Sequence, residues 1–208
     1  QSRHPPIWPD SVPTEGCWVI AVSGGADSIA TMLWALARRS AEQKFVIATI
    51  DHGLRDGAQA EVAFVRNLAE ALNLPFATET LNWPPKSAPG EGDLRKARYA
   101  ALDRIRARHQ GKGLILGHHA QDLLETQLLQ LARGAHPTSL SFPRRAEKFG
   151  DSGWRIRPML HINPDFLREC LSASGFAWCE DETNLDPGYT RNAVRQSVLP
   201  ALVSAVPQ

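Results

Sequence analysis

A short apolar run, Cys17-Trp18-Val19-Ile20-Ala21-Val22, leads straight into Ser23-Gly24-Gly25-Ala26-Asp27-Ser28, after which Ile29, Met32, Leu33 and Leu36 recur at helical spacing. A strand over 17–22, a glycine- and hydroxyl-rich loop and a helix over 29–39 make a junction suited to holding a phosphate. The glycines let backbone approach a ligand, and the unpaired N–H groups of a first helical turn attract negative charge. Ser23 and Ser28 add hydroxyl donors. Asp27 repels phosphates unless a divalent cation lies between them, so it reads as a ligand for magnesium. The same letters also permit a plain strand–turn–helix connection with Ser28 or Asp27 as a cap. With strand and helix both in place, we take the phosphate-binding reading. The loop lacks the Gly-Lys-Ser/Thr ending of kinase-type phosphate loops and the G-x-G-x-x-G dinucleotide fingerprint.

Downstream of this junction the chain alternates strand and helix, which argues an α/β fold. Strands are expected over 17–22, 45–50, 75–81, 113–117 and 154–159, giving an open parallel sheet of about five strands with helices on both faces. Helices are expected over 61–72 and 93–109, from His118 onwards with Leu124, Leu128 and Leu131 as its apolar stripe, over 163–175, and from Thr190. Residues 1–16, rich in proline and polar groups, read as an irregular arm with Ile7 and Trp8 as anchors. The stretch 82–92 holds three prolines and two glycines and reads as a mobile cover over the site. Residues 134–153 read as an irregular connection.

With 208 residues the chain is long enough for one sizeable domain with a real core. Its net charge of +1 provides no global basic field, so contact with nucleic acid has to come from local patches. The three cysteines, Cys17, Cys170 and Cys179, form no Cys-x-x-Cys pair, which argues against a disulfide framework or an iron–sulfur or zinc site. No apolar run reaches membrane-spanning length and no secretory signal is visible, so a cytoplasmic setting is expected. The chain begins at Gln1 rather than Met and stops soon after a proline-terminated helix, as a trimmed version of something longer would.

Further candidates gather where strands end, because ligands of open parallel sheets sit beyond the carboxyl ends of the strands. Asp51 and His52 close the second strand and are placed to touch a nucleotide, or form a solvated turn. Arg95 and Arg98 share a helix face next to Tyr99 and suit phosphates, or a solvated face. The fourth strand runs into His118-His119-Ala120-Gln121-Asp122-Leu123-Leu124-Glu125-Thr126. Asp122 and Glu125 share one face there and suit an ammonium group or a metal; complementing the helix dipole needs no ligand at all. His118 and His119 are functional, or neutral core and rim residues; a His-His-x-x-Asp metal cluster is a further alternative. Arg144, Arg145, Lys148, Arg155 and Arg157, interleaved with Phe142, Phe149 and Trp154, suit a looped RNA or a solvated surface. Asp181 and Asn184 precede a helix on which Arg191 and Arg195 stand one above the other.

Taken together these motifs resemble the N-type ATP pyrophosphatases, the pyrophosphate-loop (PP-loop) family, and within it the tRNA(Ile)-lysidine synthetase branch. The matching pieces are Ser23 to Ser28, Asp51-His-Gly-Leu-Arg55, Arg95-x-x-Arg98-Tyr99, His118 to Thr126 with Arg133-Gly134, Arg157-Pro158, Asp181-x-x-Asn184, and Tyr189-x-Arg191-Asn192-x-x-Arg195. The resemblance implies a Rossmann-like fold of the adenine nucleotide alpha hydrolase type. The catalytic domain is expected over 17–208, with 165–208 as its C-terminal helical part. The implied reaction uses ATP and magnesium. ATP adenylylates the wobble cytidine of tRNA(Ile), pyrophosphate leaves, and the ε-amine of free L-lysine displaces AMP to give lysidine.

The resemblance also implies roles for residues. Ser23, Gly24, Gly25, Ala26, Asp27, Ser28, Asp51, His52, Arg98, Gly117 and His118 would bind ATP, with Asp27 as the metal ligand. Asp27, Asp51, His118 and Asp122 would be catalytic. Asp122 and Glu125 would take the lysine, and Arg95, Arg133, Arg191 and Arg195 would face RNA or phosphate. Members of the branch carry further tRNA-gripping domains, whereas this chain ends after the catalytic domain, as a shortened or a minimal form would, and residues 138–142 depart from the branch's usual sequence. A different amidating or tRNA-modifying pyrophosphatase, or a nucleotide- or RNA-binding fragment without turnover, are the competing readings.

Overall fold

The computed structural model describes residues 6, 8–54, 58–84, 89–140, 142–150, 153–180 and 190–205. Its centre is a six-stranded sheet in the order β3-β2-β1-β4-β6-β5. The strands are β1 (Gly16–Ala21), β2 (Gln43–Asp51), β3 (Phe76–Thr80), β4 (Gly113–Ile115), β5 (Ala146–Phe149) and β6 (Gly153–Ile156). All neighbours run parallel except β5 with β6. The expected α/β architecture is therefore present, with one strand more than expected. β5 lies in the stretch read as irregular. It is a short edge strand, Ala-Glu-Lys-Phe, that shows no clean apolar alternation because one side of it is open to solvent.

Both faces of the sheet are covered, and the pleat divides the strand residues between them. Trp18, Ile20, Phe45, Ile47 and Ile115 pack with residues of α1 (Ala26–Ala37), α2 (Ala58–Ala71) and α5 (Pro164–Ala173). Val19, Val46, Ala48 and Leu114 pack against Leu102 and Ile105 of α3 (Glu91–Arg108). These strands are apolar on both sides, as buried parallel strands are. The N-terminal arm is fastened by Trp8, which meets Trp18 edge-on with ring centroids 5.0 Å apart and stacks on Trp34 at 6.3 Å. Ile7, its expected companion, lies outside the described residues.

After β1 the chain builds β2 and β3 outward on one side, then returns to build β4 on the other. The strand order thus switches direction between β1 and β4, the place where such sheets form a crevice at their carboxyl ends. The loop after β1 and the turn into α4 (Ala120–Ala132) both lie at that crevice. α4 turns a different face inward from the one expected. Leu124 and Leu131 are exposed, at 49% and 41%, while Glu125 and Leu129 are buried. The C-terminal helical segment comprises α6 (Thr190–Ala193), a π-helical turn (Val194–Val198) and α7 (Leu199–Ala205). Among the described residues no helix is long and apolar enough to cross a membrane.

Candidate active site

The loop after β1 is anchored before it turns. The Val22 N–H donates to the Ala48 carbonyl at 2.8 Å, and the Thr49 hydroxyl donates to the Val22 carbonyl at 2.6 Å. Gly24 follows at φ +94°, a conformation that L side chains rarely adopt. The Ser28 hydroxyl donates to the Gly25 carbonyl at 2.8 Å and receives the Ser23 N–H at 3.2 Å, which closes the loop on itself. Gly25 is the N-cap of α1 and makes no side-chain cap bond. The Ser28 N–H turns back to the Gly25 carbonyl at 3.1 Å, which leaves the N–H groups of Ala26 and Asp27 to face an anion. From the far end of the chain, the Cys179 N–H donates to the Gly24 carbonyl at 2.9 Å and holds the loop from outside.

The turn after β4 comes hard against this loop. A side chain at Gly117 would place its Cβ 3.0 Å from the Ser28 Cα and 3.1 Å from the Asp27 carbonyl oxygen, so anything larger than glycine would press on the loop's backbone. Two residues on, His119 is the N-cap of α4. Its backbone N–H donates to Asp122 Oδ2 at 3.0 Å, and its Nδ1 accepts the Asp122 N–H at 3.4 Å, a capping box. That cap aims the other ring nitrogen, Nε2, at two carboxylates, Asp27 at 3.3 Å and Asp122 at 3.5 Å. Burial opposes the charged imidazole, but the hydrogen bond to Asp27 and the charges of Asp122 and Asp27 outweigh it and raise its pKa. His119 therefore joins the phosphate loop of β1 to the acidic helix of β4. Motif matching in the sequence puts its weight on His118 instead. The signal for His119 is spacing: a side chain able to accept a hydrogen bond, three residues before an acid, at the start of a helix.

His118 faces a different environment. Its Nδ1 is buried without a partner, and burial together with Arg98, Arg157, Arg95 and Arg191 pushes its pKa well below the ordinary value, so it is neutral. Arg95, Arg98 and Arg155 surround the Tyr99 ring at 5.1, 5.6 and 4.4 Å. Burial lowers the pKa of Arg95, Tyr99 opposes that shift, and the guanidinium of Arg98 adds to it. The Nε of Arg98 is buried and without a hydrogen-bond partner. Cations gathered with unspent donors are the electrostatic complement of a polyanion.

The two acids of α4 have different situations. Asp122 contacts His119 and lies 3.4 Å from the Arg191 guanidinium. Glu125 is fully buried and accepts Arg191 Nε at 2.7 Å and Arg195 Nε at 2.6 Å. Arg191 and Arg195 thus meet a carboxylate here. Burial works against the charge of Arg191, but the Glu125 hydrogen bond and the Asp122 charge raise its pKa. Arg133 is the C-cap of α4, at the other end of a 13-residue helix and so about 16 Å along the axis from Asp122. The fold does not bring it to the crevice. Asp51 accepts the Gly53 N–H at 2.8 Å and is reached by the Thr80 hydroxyl at 3.5 Å; the His52 carbonyl accepts the Trp83 indole N–H at 2.8 Å. Arg55, Asp181, Asn184 and Tyr189 lie outside the described residues.

The donor set near Asp27 fits magnesium better than a protein-built metal cage. Asp27 Oδ1 is buried and has no hydrogen-bond partner, an orphaned acceptor that a cation would satisfy. Magnesium is commonly held by one or two carboxylates together with phosphate oxygens and water. Among the described residues no group of three or more His, Cys, Asp or Glu is arranged around a metal position, so the His-His-x-x-Asp metal alternative is set aside.

Comparison with known proteins bears on the family and the fold. The family model described as PP-loop domain matches residues 7–202. A tRNA(Ile)-lysidine synthase of Ruegeria pomeroyi is 41% identical over 186 residues, covering 86% of this chain and 43% of that protein. One from Thermus thermophilus is 39% identical over 195 residues, covering 91% of this chain and 36% of that protein. The chain therefore spans about two fifths of the length of these curated relatives. Among solved structures, the U34-tRNA thiolase NcsA from Methanococcus maripaludis superposes with a TM-score of 0.70, covering 97% of this chain and 77% of that one. At 13% identity that likeness bears on the fold alone. The match to nearly the whole chain, with the phosphate loop at the switch point of the sheet, makes this protein a member of the PP-loop domain family.

Proposed function

We propose that this chain is the catalytic part of a tRNA(Ile)-lysidine synthetase, which uses ATP to join free L-lysine to the C2 carbon of a wobble cytidine. The observation that carries the reading is the Asp27–His119–Asp122 bridge, which sets the loop after β1 beside the Asp122 carboxylate, a group suited to an ammonium. The phosphate loop alone is compatible with any adenylylating enzyme. Its connection to Asp122 is what suits an enzyme whose second substrate is an amine.

Ser23, Gly24, Gly25, Ala26 and Ser28 hold the pyrophosphate of ATP through backbone N–H groups and hydroxyls. Asp51, His52, Arg98, Gly117 and His118 surround the rest of the nucleotide, and neutral His118 donates or accepts a hydrogen bond without adding charge. Asp27 would hold magnesium, which when bound would supply positive charge opposite the phosphates. The cytidine C2 oxygen attacks the α-phosphorus and pyrophosphate departs. The lysine ε-nitrogen then bonds to C2, and the C2–O bond breaks to release AMP. Asp122 receives an ammonium group of the lysine, while Glu125 beneath it fixes Arg191 and Arg195 at the edge of the same subsite. Arg95 faces phosphate. Arg133, on the outer end of α4, serves RNA in this scheme. The setting is the cytoplasm, consistent with three unpaired cysteines.

The test is transfer of labelled lysine by this chain to tRNA(Ile) carrying a cytidine wobble base, with AMP and pyrophosphate counted. Stoichiometric release of both with incorporated lysine is expected, and Asp27→Ala is expected to lower the adenylylation rate at least a hundredfold, by analogy with the loss of about two to three orders of magnitude when one charge-stabilising group is removed. Release of ADP and phosphate in place of AMP and pyrophosphate, or RNA modification that does not depend on lysine, would overturn the reading. ATP binding with no transfer would favour a binding fragment or a missing tRNA-binding region.

A further inference from the structure

A cleft of about 240 Å³ lies away from the phosphate loop, between the tail of β3 and the outer face of α3. One wall is Trp83, whose only polar atom is already committed to the His52 carbonyl, so the indole offers the cleft aromatic carbon. The opposite wall carries Ala97 and Ala100, three apart on one helix face and small enough to admit a flat group. Asn82 at the rim brings an amide that both donates and accepts hydrogen bonds. Glu79 and Arg104 complete the lining and are paired at 2.7 Å; Arg108 reaches the other oxygen of Glu79 at 2.7 Å. Arg104 in the lining and Arg108 beside it, 56% and 60% exposed, share the one carboxylate of Glu79, so a cation is left over next to the cleft.

We propose that this cleft receives one unstacked nucleobase of the RNA substrate, an inference that rests on the RNA-modifying reading above. Its volume is below the roughly 300–1,000 Å³ of sites that enclose a drug-sized ligand, which suits a single ring system and not a whole nucleotide. An aromatic wall, polar groups at the rim and exposed cations outside match how proteins hold splayed-out RNA bases. The cleft is also tied to the proposed ATP site. The Trp83–His52 bond and the Leu81 N–H to Asp51 carbonyl bond, 2.8 Å each, connect its wall to the end of β2. A base seated against Trp83 therefore steadies the turn that borders the nucleotide.

The probe is a stem-loop RNA with a cytidine at the wobble position of its loop, titrated against the full chain. Ala100→Trp fills the cleft from an exposed helix position, and Ala100→Ser is its control; Trp83→Ala removes the aromatic wall by another route. Ala100→Trp and Trp83→Ala are each expected to weaken stem-loop binding about tenfold or more, the contribution of one stacked base. ATP affinity of Ala100→Trp stays within about twofold of the parent, and Ala100→Ser binds both ligands as the parent does. Unchanged RNA binding in the Trp variant overturns the proposal, as does an equal loss of ATP affinity, which would make the cleft part of the adenine site. If the parent chain transfers lysine while Ala100→Trp binds RNA normally, only the cleft assignment falls. If the parent binds no such RNA, the cleft assignment falls by itself, because members of the lysidine-forming branch carry further tRNA-gripping domains.

Discussion

Glu125 keeps its whole carboxylate inside the protein, and two guanidiniums make that tolerable. Burying an isolated carboxylate costs several kcal/mol even after relaxation, and only close, well-directed partners offset it. Both Nε contacts are short, and the partners come from a segment 66 and 70 residues further along the chain. Removing the acid leaves Arg191 with the longer contacts to Glu91 and Asp122, 3.4 Å each, and Arg195 with Asp122 at 4.0 Å, and takes away the charge that holds the two guanidiniums together. Their side chains are 20% and 29% exposed, so water relieves part of the repulsion. Glu125→Ala is accordingly expected to lose about 3 kcal/mol, at the low end for breaking a buried pair. Urea unfolding measures it; a loss below about 1 kcal/mol would mean that the cluster contributes little. His119 shows a related lesson. Its sequence neighbours say that it caps a helix, but only the approach of α1 reveals the second carboxylate at its Nε2.

At the scale of elements, the β5–β6 hairpin depends on Glu147, which accepts Arg155 at 2.9 Å and Arg157 at 2.8 Å. Burial works against its charge, but Arg157 and then Arg155 prevail and hold its pKa below the ordinary 4.5. A depressed carboxyl pKa contributes stability that is present above the unfolded value and lost as pH falls through the folded one. Glu147→Gln should therefore melt below the parent at pH 7, and the gap should narrow once the pH drops under about 4.5. Thermal melts across that range check it; a constant gap would rule out the ion pairs as its source. The elements differ in how well sequence foretold them. β1, its loop and α1 were legible because every signal is local: an apolar run, glycines, then helical spacing. α4 was legible as a helix but not in its orientation. Three leucines outvoted Glu125, whose burial depends on arginines that no window around it contains. β5 was illegible because an edge strand of four residues needs only one partner and carries no apolar alternation.

Across the whole molecule, two apolar layers sandwich the central strands and leave the chemistry to one rim of the sheet. Placement of the loop at the switch point comes from strand order, which the alternation of strands and helices did not disclose. The site itself draws on segments from residue 23 to residue 195, which is why its motifs could be named from sequence but their pairings could not. The Gly24 carbonyl takes its outer hydrogen bond from Cys179, a residue added by the ribosome after all six strands have been made. A nascent chain stopped before that residue can assemble the sheet yet lacks the bond that holds the loop from outside. Competence to grip ATP should then arrive late in translation. ATP should protect ribosome-held chains from protease only once the stretch through residue 180 has cleared the exit tunnel.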